Sequence, residues 1–161
     1  MTRLGTTELL VSYSQLAAYN RSEEHPYSDW TDEHVGQGFA WREGSVSFGT
    51  LGDVRSLVEL ELDERLPEPA ADAVRVIVVP FRADGSGIAV SSILSGTLAA
   101  ELPAGLYELQ FEAFEPAGGG DGPGRYRLAF APAESPAARI VRQDEELDPP
   151  AELVLAAEAA V

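Results

Sequence analysis

From Val58 to Asp63 the side chains alternate without a break, with Val58, Leu60 and Leu62 on one parity and Glu59, Glu61 and Asp63 on the other. A helix with 3.6 residues per turn would scatter the two sets around its circumference, whereas a strand sorts them onto opposite faces. The pattern recurs. Leu106, Glu108, Gln110 and Glu112 alternate with Tyr107, Leu109, Phe111 and Ala113; Leu9, Val11 and Tyr13 alternate with Glu8, Leu10 and Ser12; Tyr126, Leu128 and Phe130 hold the same period. In the acidic segments the apolar parity reads as core and the carboxylates as a solvated face. Val74 to Phe81 is an apolar run broken only by Arg75, which fits a central strand ending near Pro80. Asp84-Gly85-Ser86-Gly87 then offers the backbone freedom of a hairpin turn into Ile88 and Val90. Phe39 and Trp41 lead through a turn at Glu43-Gly44 to Val46 and Phe48, and Thr97 to Leu102 and Arg139 to Val141 add further strand material.

Helical signals are few. Thr31 or Asp32 can act as an N-cap with acids in the first turn, and Gly36 or Gly38 ends the element, so one short helix is expected near residues 31–37. These elements predict an all-β fold, an antiparallel β-sandwich of about eight to ten short strands with that single helix. The sandwich domain is expected over 1–143 and an acidic C-terminal tail over 144–161, either mobile or a short helix after an Asp148 cap. Gly118 to Gly124 reads as a flexible loop and not a phosphate cradle, because no Lys and Ser/Thr follow and no helix opens after it.

With 161 residues and 45% hydrophobic content the chain can bury one core without staples, and it contains no cysteine, which removes disulfides, thiolate metal sites and a cysteine nucleophile. No window approaches the length of a membrane helix and no export signal is visible at the N-terminus, so the expected location is the cytoplasm, with no membrane insertion and at most envelope association through a partner. The formal net charge of −16 repels phosphate backbones and anionic lipid and speeds encounter with basic proteins. Direct nucleic-acid binding is therefore not expected. A basic protein partner is.

Catalytic chemistry finds little purchase. The chain has two histidines, His25 and His34, neither with an obvious serine partner, and no serine lies in a Gly-x-Ser-x-Gly elbow. Asp29, Asp32, Glu33 and His34 could be assembled into a metal set, but Asp32 and Glu33 are already explained as first-turn acids and no ligand spacing supports a metal. The carboxylates Glu59, Glu61 and Asp63 could make a glycosidase pair, yet their spacing of two more simply describes one strand face. No catalytic residue, metal or cofactor is assigned. Tyr13, Tyr19, Tyr27, Trp30, Phe39 and Trp41 gather in the first quarter beside Asp29, Asp32 and Glu33, where aromatics with acids suit contact with a basic partner. Most aromatics in a domain this size serve the core, and Trp30 can also staple the helix start.

Val11-Ser12-Tyr13-Ser14-Gln15, then Asp29-Trp30-Thr31-Asp32-Glu33, Gly38-Phe39-Ala40 and Gly44-Ser45-Val46-Ser47-Phe48, together resemble the competence protein J family, whose namesake inhibits a bacterial DNA-entry nuclease. Looser similarity continues through Val79-Pro80-Phe81 and Leu102 to Tyr107. The resemblance implies an acidic inhibitor, not an enzyme, that binds and blocks a nuclease, and a DNA-cutting cleft is basic. Asp29, Trp30, Asp32 and Glu33 are the expected partner-binding segment. The glycine-rich loop and acidic tail stand as additions, leaving the partner open between a competence nuclease and a toxin relative. The alternative is a module binding carbohydrate or another small ligand by aromatic stacking, with acidity serving solubility.

Overall fold

The structure is a computed structural model and describes residues 2–116 and 122–161. In chain order the elements are β1 (Thr2–Leu10), β2 (Gln15–Asn20), β3 (Ser28–Asp29), α1 (Asp32–Gln37), β4 (Phe39–Arg42), β5 (Ser45–Gly49) and β6 (Arg55–Leu62). There follow β7 (Ala73–Ala83), β8 (Ile88–Ser91), β9 (Thr97–Ala100), β10 (Gly105–Phe114), β11 (Gly124–Pro132), β12 (Arg139–Arg142) and β13 (Glu158–Ala159). Most of the expected glycine-rich loop lies outside the described residues, and Gly124 already opens β11.

A six-stranded sheet in the order β1-β6-β11-β10-β7-β12 faces a five-stranded sheet in the order β4-β5-β2-β8-β9, and β3 and β13 form a separate two-stranded ribbon. Every pairing is antiparallel except β6 with β11, which run parallel from Ser56 opposite Gly124 to Leu62 opposite Phe130. Local alternation carries no information about the direction of a neighbour, so this one parallel pair departs from an otherwise antiparallel expectation. The described residues form thirteen strands against the expected eight to ten, and two of the extra ones, β3 and β13, are two-residue pieces with no periodicity to read.

The apolar parities meet between the sheets. Phe48 of β5 stacks on Phe111 of β10 at 4.5 Å between centroids, and Phe111 stacks on Tyr126 of β11 at 5.7 Å. Phe81 and Tyr107 meet the edge of the Phe130 ring at 5.3 and 6.0 Å. Each such pair adds about 0.5–1.5 kcal/mol beyond its burial.

The acidic parity behaves differently from the sequence expectation: Glu59 and Glu61 of β6 and Glu112 of β10 are buried, not solvated. Neighbouring strands bring arginines to the same face. Arg127 Nε donates to Glu112 at 2.8 Å, Arg125 Nε to Glu59 at 2.6 Å, and Arg3 lies 3.2 Å from Glu59 and 3.6 Å from Glu61. Residues 63–72 then fold back over this face, where Ala70 N–H donates to Glu112 at 3.0 Å and Gln110 Nε2 donates to the Pro67 carbonyl at 3.1 Å. Paired and hydrogen-bonded, Glu59 and Glu112 tolerate a burial that isolated charges would not, whereas among the described residues Glu61 has only the Arg3 charge and a buried Oε2 without a hydrogen bond.

On the opposite side, Ala17, Ala40, Ser47 and Ala89 leave the outer face of the five-stranded sheet without bulk, and residues 22–30 lie against it. Tyr27 and Tyr19 both hydrogen-bond Ser91 Oγ, at 2.8 and 2.9 Å; Ser45 Oγ donates to the Pro26 carbonyl at 2.6 Å; Arg42 Nε donates to Ser28 Oγ at 3.1 Å. This layer carries the segment Asp29 to Glu33 across the sandwich.

Candidate protein-binding surface

Helix α1 is six residues long and cannot stand by propensity alone, so its ends decide it. Thr31 caps it: its Oγ1 accepts from His34 N–H at 3.3 Å, while His34 Nδ1 accepts from Thr31 N–H at 3.0 Å. With Nδ1 an acceptor, His34 Nε2 carries the proton and donates to the Ala156 carbonyl at 2.9 Å. This buried histidine is thus a capping residue. Gly38 closes the helix at φ 86°, where any Cβ would also press on Ile77 and Leu147 at 3.0 Å.

In place of a terminal helix, residues 144–161 form an extended strap laid over α1. Asp148 N–H donates to the Gly36 carbonyl at 2.9 Å. Gln37 binds Val154 in both directions, Nε2 to the carbonyl at 3.0 Å and Oε1 from the N–H at 2.8 Å. Ala160 N–H donates to the Tyr27 carbonyl at 2.9 Å, and β13 pairs with β3 so that Glu158 stands opposite Asp29. Asp144 accepts two hydrogen bonds from buried Arg75, at 2.8 and 2.9 Å, and Leu147 enters the core. The expectation missed this because Gln37, His34 and Gly36, which hold the strap, lie more than a hundred residues away from it in sequence.

The four residues expected to meet a partner occupy one continuous stretch. Asp29 is exposed on β3, beside the like charge of Glu158, and Asp32 and Glu33 are exposed in the first turn of α1. Like charges directly opposite each other on paired strands repel, a cost that a cation from outside would remove. Trp30 is half-buried, with Nε1 donating to Gln15 Oε1 at 3.2 Å and its ring 6.3 Å from the His34 ring in an edge contact.

Of the four, only Trp30 lines the hollow beside them, a concavity of about 460 Å³ walled by Tyr13, Val35, Leu51 and Leu147, with Arg75 and Glu146 supplying charge. Tyr13 and Val35 are exposed apolar surface at its rim. Tyr13 and Ser14 form the two-residue turn between Ser12 and Gln15, both with positive φ, at 54° and 53°. That is the requirement of a type I′ turn, which favours Asn and Gly; a Tyr-Ser pair holds it at roughly 1–2 kcal/mol per residue. Ser14 N–H is tied to Asp53 Oδ1 at 2.8 Å and Gln15 N–H to the Ser12 carbonyl at 3.3 Å. Sequence reading registered Tyr13 among the clustered aromatics but could not single it out, since no Gly or Asn marks the turn.

Among the described residues no three His, Asp or Glu side chains converge as metal ligands, and no helix is long and apolar enough to cross a membrane. The surface offers aromatics, carboxylates and a hollow, a set suited to gripping a cationic surface.

The family model of Competence protein J (ComJ) matches residues 8–131. A DNA-entry nuclease inhibitor of Bacillus subtilis (strain 168) is 31% identical over 102 residues, covering 63% of this chain and 76% of that protein. The crystal structure of ComJ from Bacillus subtilis, described as an inhibitor of the DNA degrading activity of NucA, superposes with a TM-score of 0.73 at 27% identity, covering 83% of this chain and 99% of the other. The first-quarter motifs, the capped helix, the five-stranded sheet and most of the six-stranded sheet lie within the matched span, and on these grounds the chain belongs to the competence protein J family.

Proposed function

We propose that this protein is a stoichiometric inhibitor that binds a bacterial nuclease and blocks it. Family membership carries the reading, since the Bacillus subtilis relatives are inhibitors of a DNA-degrading nuclease. Physical chemistry agrees with it. A cleft that holds DNA is electropositive, and a chain with net charge −16 is steered toward it and can place carboxylates where phosphates would lie. Asp29, Trp30, Asp32 and Glu33 form the contact segment, presented by a capped helix and a strap rather than by a loose loop. The protein works by occupying a surface, without catalysis of its own and without binding nucleic acid itself, and it meets its nuclease from the cytoplasmic side of the cell.

The test is titration of the nuclease of the same cell, with NucA as a second target, at two ionic strengths. Inhibition should saturate near equimolar protein and weaken as salt rises, because exposed charges separated by more than about 10 Å are screened at 0.1 M salt. The double variant Asp29→Asn with Asp32→Asn should bind on the order of ten-fold more weakly, mainly through slower association. Absence of inhibition at any ratio would sink the proposal.

A further inference from the structure

Tyr13 combines a left-handed backbone, φ 54°, with a side chain 66% exposed. Hydrogen bonds to Asp53 and Ser12 hold the turn, but the mostly exposed ring itself repays little of the strain by burial, and such outliers gather where a surface is used. Its ring stands at the rim of the hollow that Trp30, Val35, Leu51 and Leu147 also line. The hollow's cation, Arg75, is fully engaged, donating to Asp144 at 2.8 and 2.9 Å and to the Gly49 carbonyl at 2.8 Å. Glu146, 67% exposed, lies 3.7 Å from the guanidinium edge and adds a second carboxylate, so one positive group there faces two negative ones. Asp32 and Glu33 stand exposed on the same helix as Val35. An anion would find no uncommitted cation among the described residues lining this hollow.

We propose that the hollow seats one long basic side chain, an arginine or lysine projecting from the nuclease, with Tyr13 and Trp30 as aromatic walls and Glu146 as counter-ion. This rests on the inhibitor reading and specifies what its surface grips. The aliphatic stem of such a side chain lies on Val35, Leu51 and Leu147, and its cationic head meets ring faces and a carboxylate. Arginine fits the chemistry better than lysine, since its flat, weakly hydrated head stacks on rings and leaves water more readily.

Tyr13→Gly and Tyr13→Asn separate this role from a structural one, because both residues accept a positive φ. Inhibition titrations of the nuclease of the same cell and of NucA, with melting curves of each variant, should show both variants inhibiting on the order of ten-fold more weakly or worse while melting at or above the parent temperature. Glu146→Gln should also weaken inhibition and flatten its salt dependence. Parent-like inhibition by Tyr13→Gly, beside a weakened Asp29→Asn, Asp32→Asn variant, would overturn the hollow and leave the inhibitor reading standing. Joint loss of inhibition and melting temperature in the Tyr13 variants would make the ring structural and overturn it too. Quenching of tryptophan emission by an uncharged oligosaccharide, with Tyr13→Gly still inhibiting, would give the hollow to a sugar. A parent that inhibits neither nuclease would end both readings.

Discussion

Glu112 shows how much one residue's meaning depends on what crosses over it. It has no exposed surface, yet it is an acid on the parity that local alternation assigns to water. Its carboxylate holds Arg127 on one side, the Ala70 N–H on another and Gln110 Nε2 at 3.1 Å, so it fastens residues 63–72 to the sheet. Glu112→Ala would leave a guanidinium and an amide unpaired at a covered site, and should cost about 3–5 kcal/mol in urea denaturation, far more than a solvated strand glutamate would. Glu108, its side chain 17% exposed, marks where that cover ends: its partner Arg139 is exposed. Alternation sorted these side chains correctly into two sets. Which set met solvent depended on a segment whose path is decided by tertiary contacts.

At the scale of elements, the strands and the capped helix were legible because their signals are local: period two for the strands, Thr31 and the two glycines for α1. The tight turn at Tyr13, the parallel β6–β11 pairing and the strap were not, since each depends on partners distant in sequence or on a backbone state that its own residues do not favour. Asp29, Trp30, Asp32 and Glu33 could be placed from sequence as one stretch at the start of α1, whereas the hollow could not, since it needs Tyr13, Val35 and Glu146 brought together from three separate stretches. Gly36 gives the strap a direct test. Glycine to alanine within a helix normally stabilises by about 1 kcal/mol, but a Cβ at position 36 would collide with the Asp148 carbonyl oxygen. Gly36→Ala should therefore destabilise the protein, and hydrogen exchange should show the Val154 amide losing its protection by Gln37.

Across the whole molecule, pH acts from two sides. Desolvation alone would raise the Glu108 carboxyl, but hydrogen bonds from Arg139 and Ala137 N–H, with the Arg139 charge, outweigh it and hold the group below its ordinary value of 4.5. A lowered folded-state value contributes stability above that pH, which is lost as pH falls through the folded value. Burial raises Tyr126 and Tyr107 above 10.0; for Tyr27 burial is again the main cause, opposed by the Ser91 hydrogen bond and aided by Tyr19. Their contribution is complete below pH 10 and is lost as pH rises through the folded values. Melting temperature should accordingly fall on the acid side below about pH 4.5 and on the alkaline side above 10, with part of the tyrosinate absorbance of the five tyrosines appearing only together with alkaline unfolding.

The strap also sets an order in time. Residues 144–161 hold the helix from which Asp32 and Glu33 project, set Glu158 beside Asp29, and bring Glu146 and Leu147 to the hollow. On a ribosome those residues are made after every strand of both sheets. A nascent chain can gather its sandwich, but the proposed contact surface is finished only when residues 144–161 clear the exit tunnel, so on that proposal capture of a partner waits for translation to pass the sandwich.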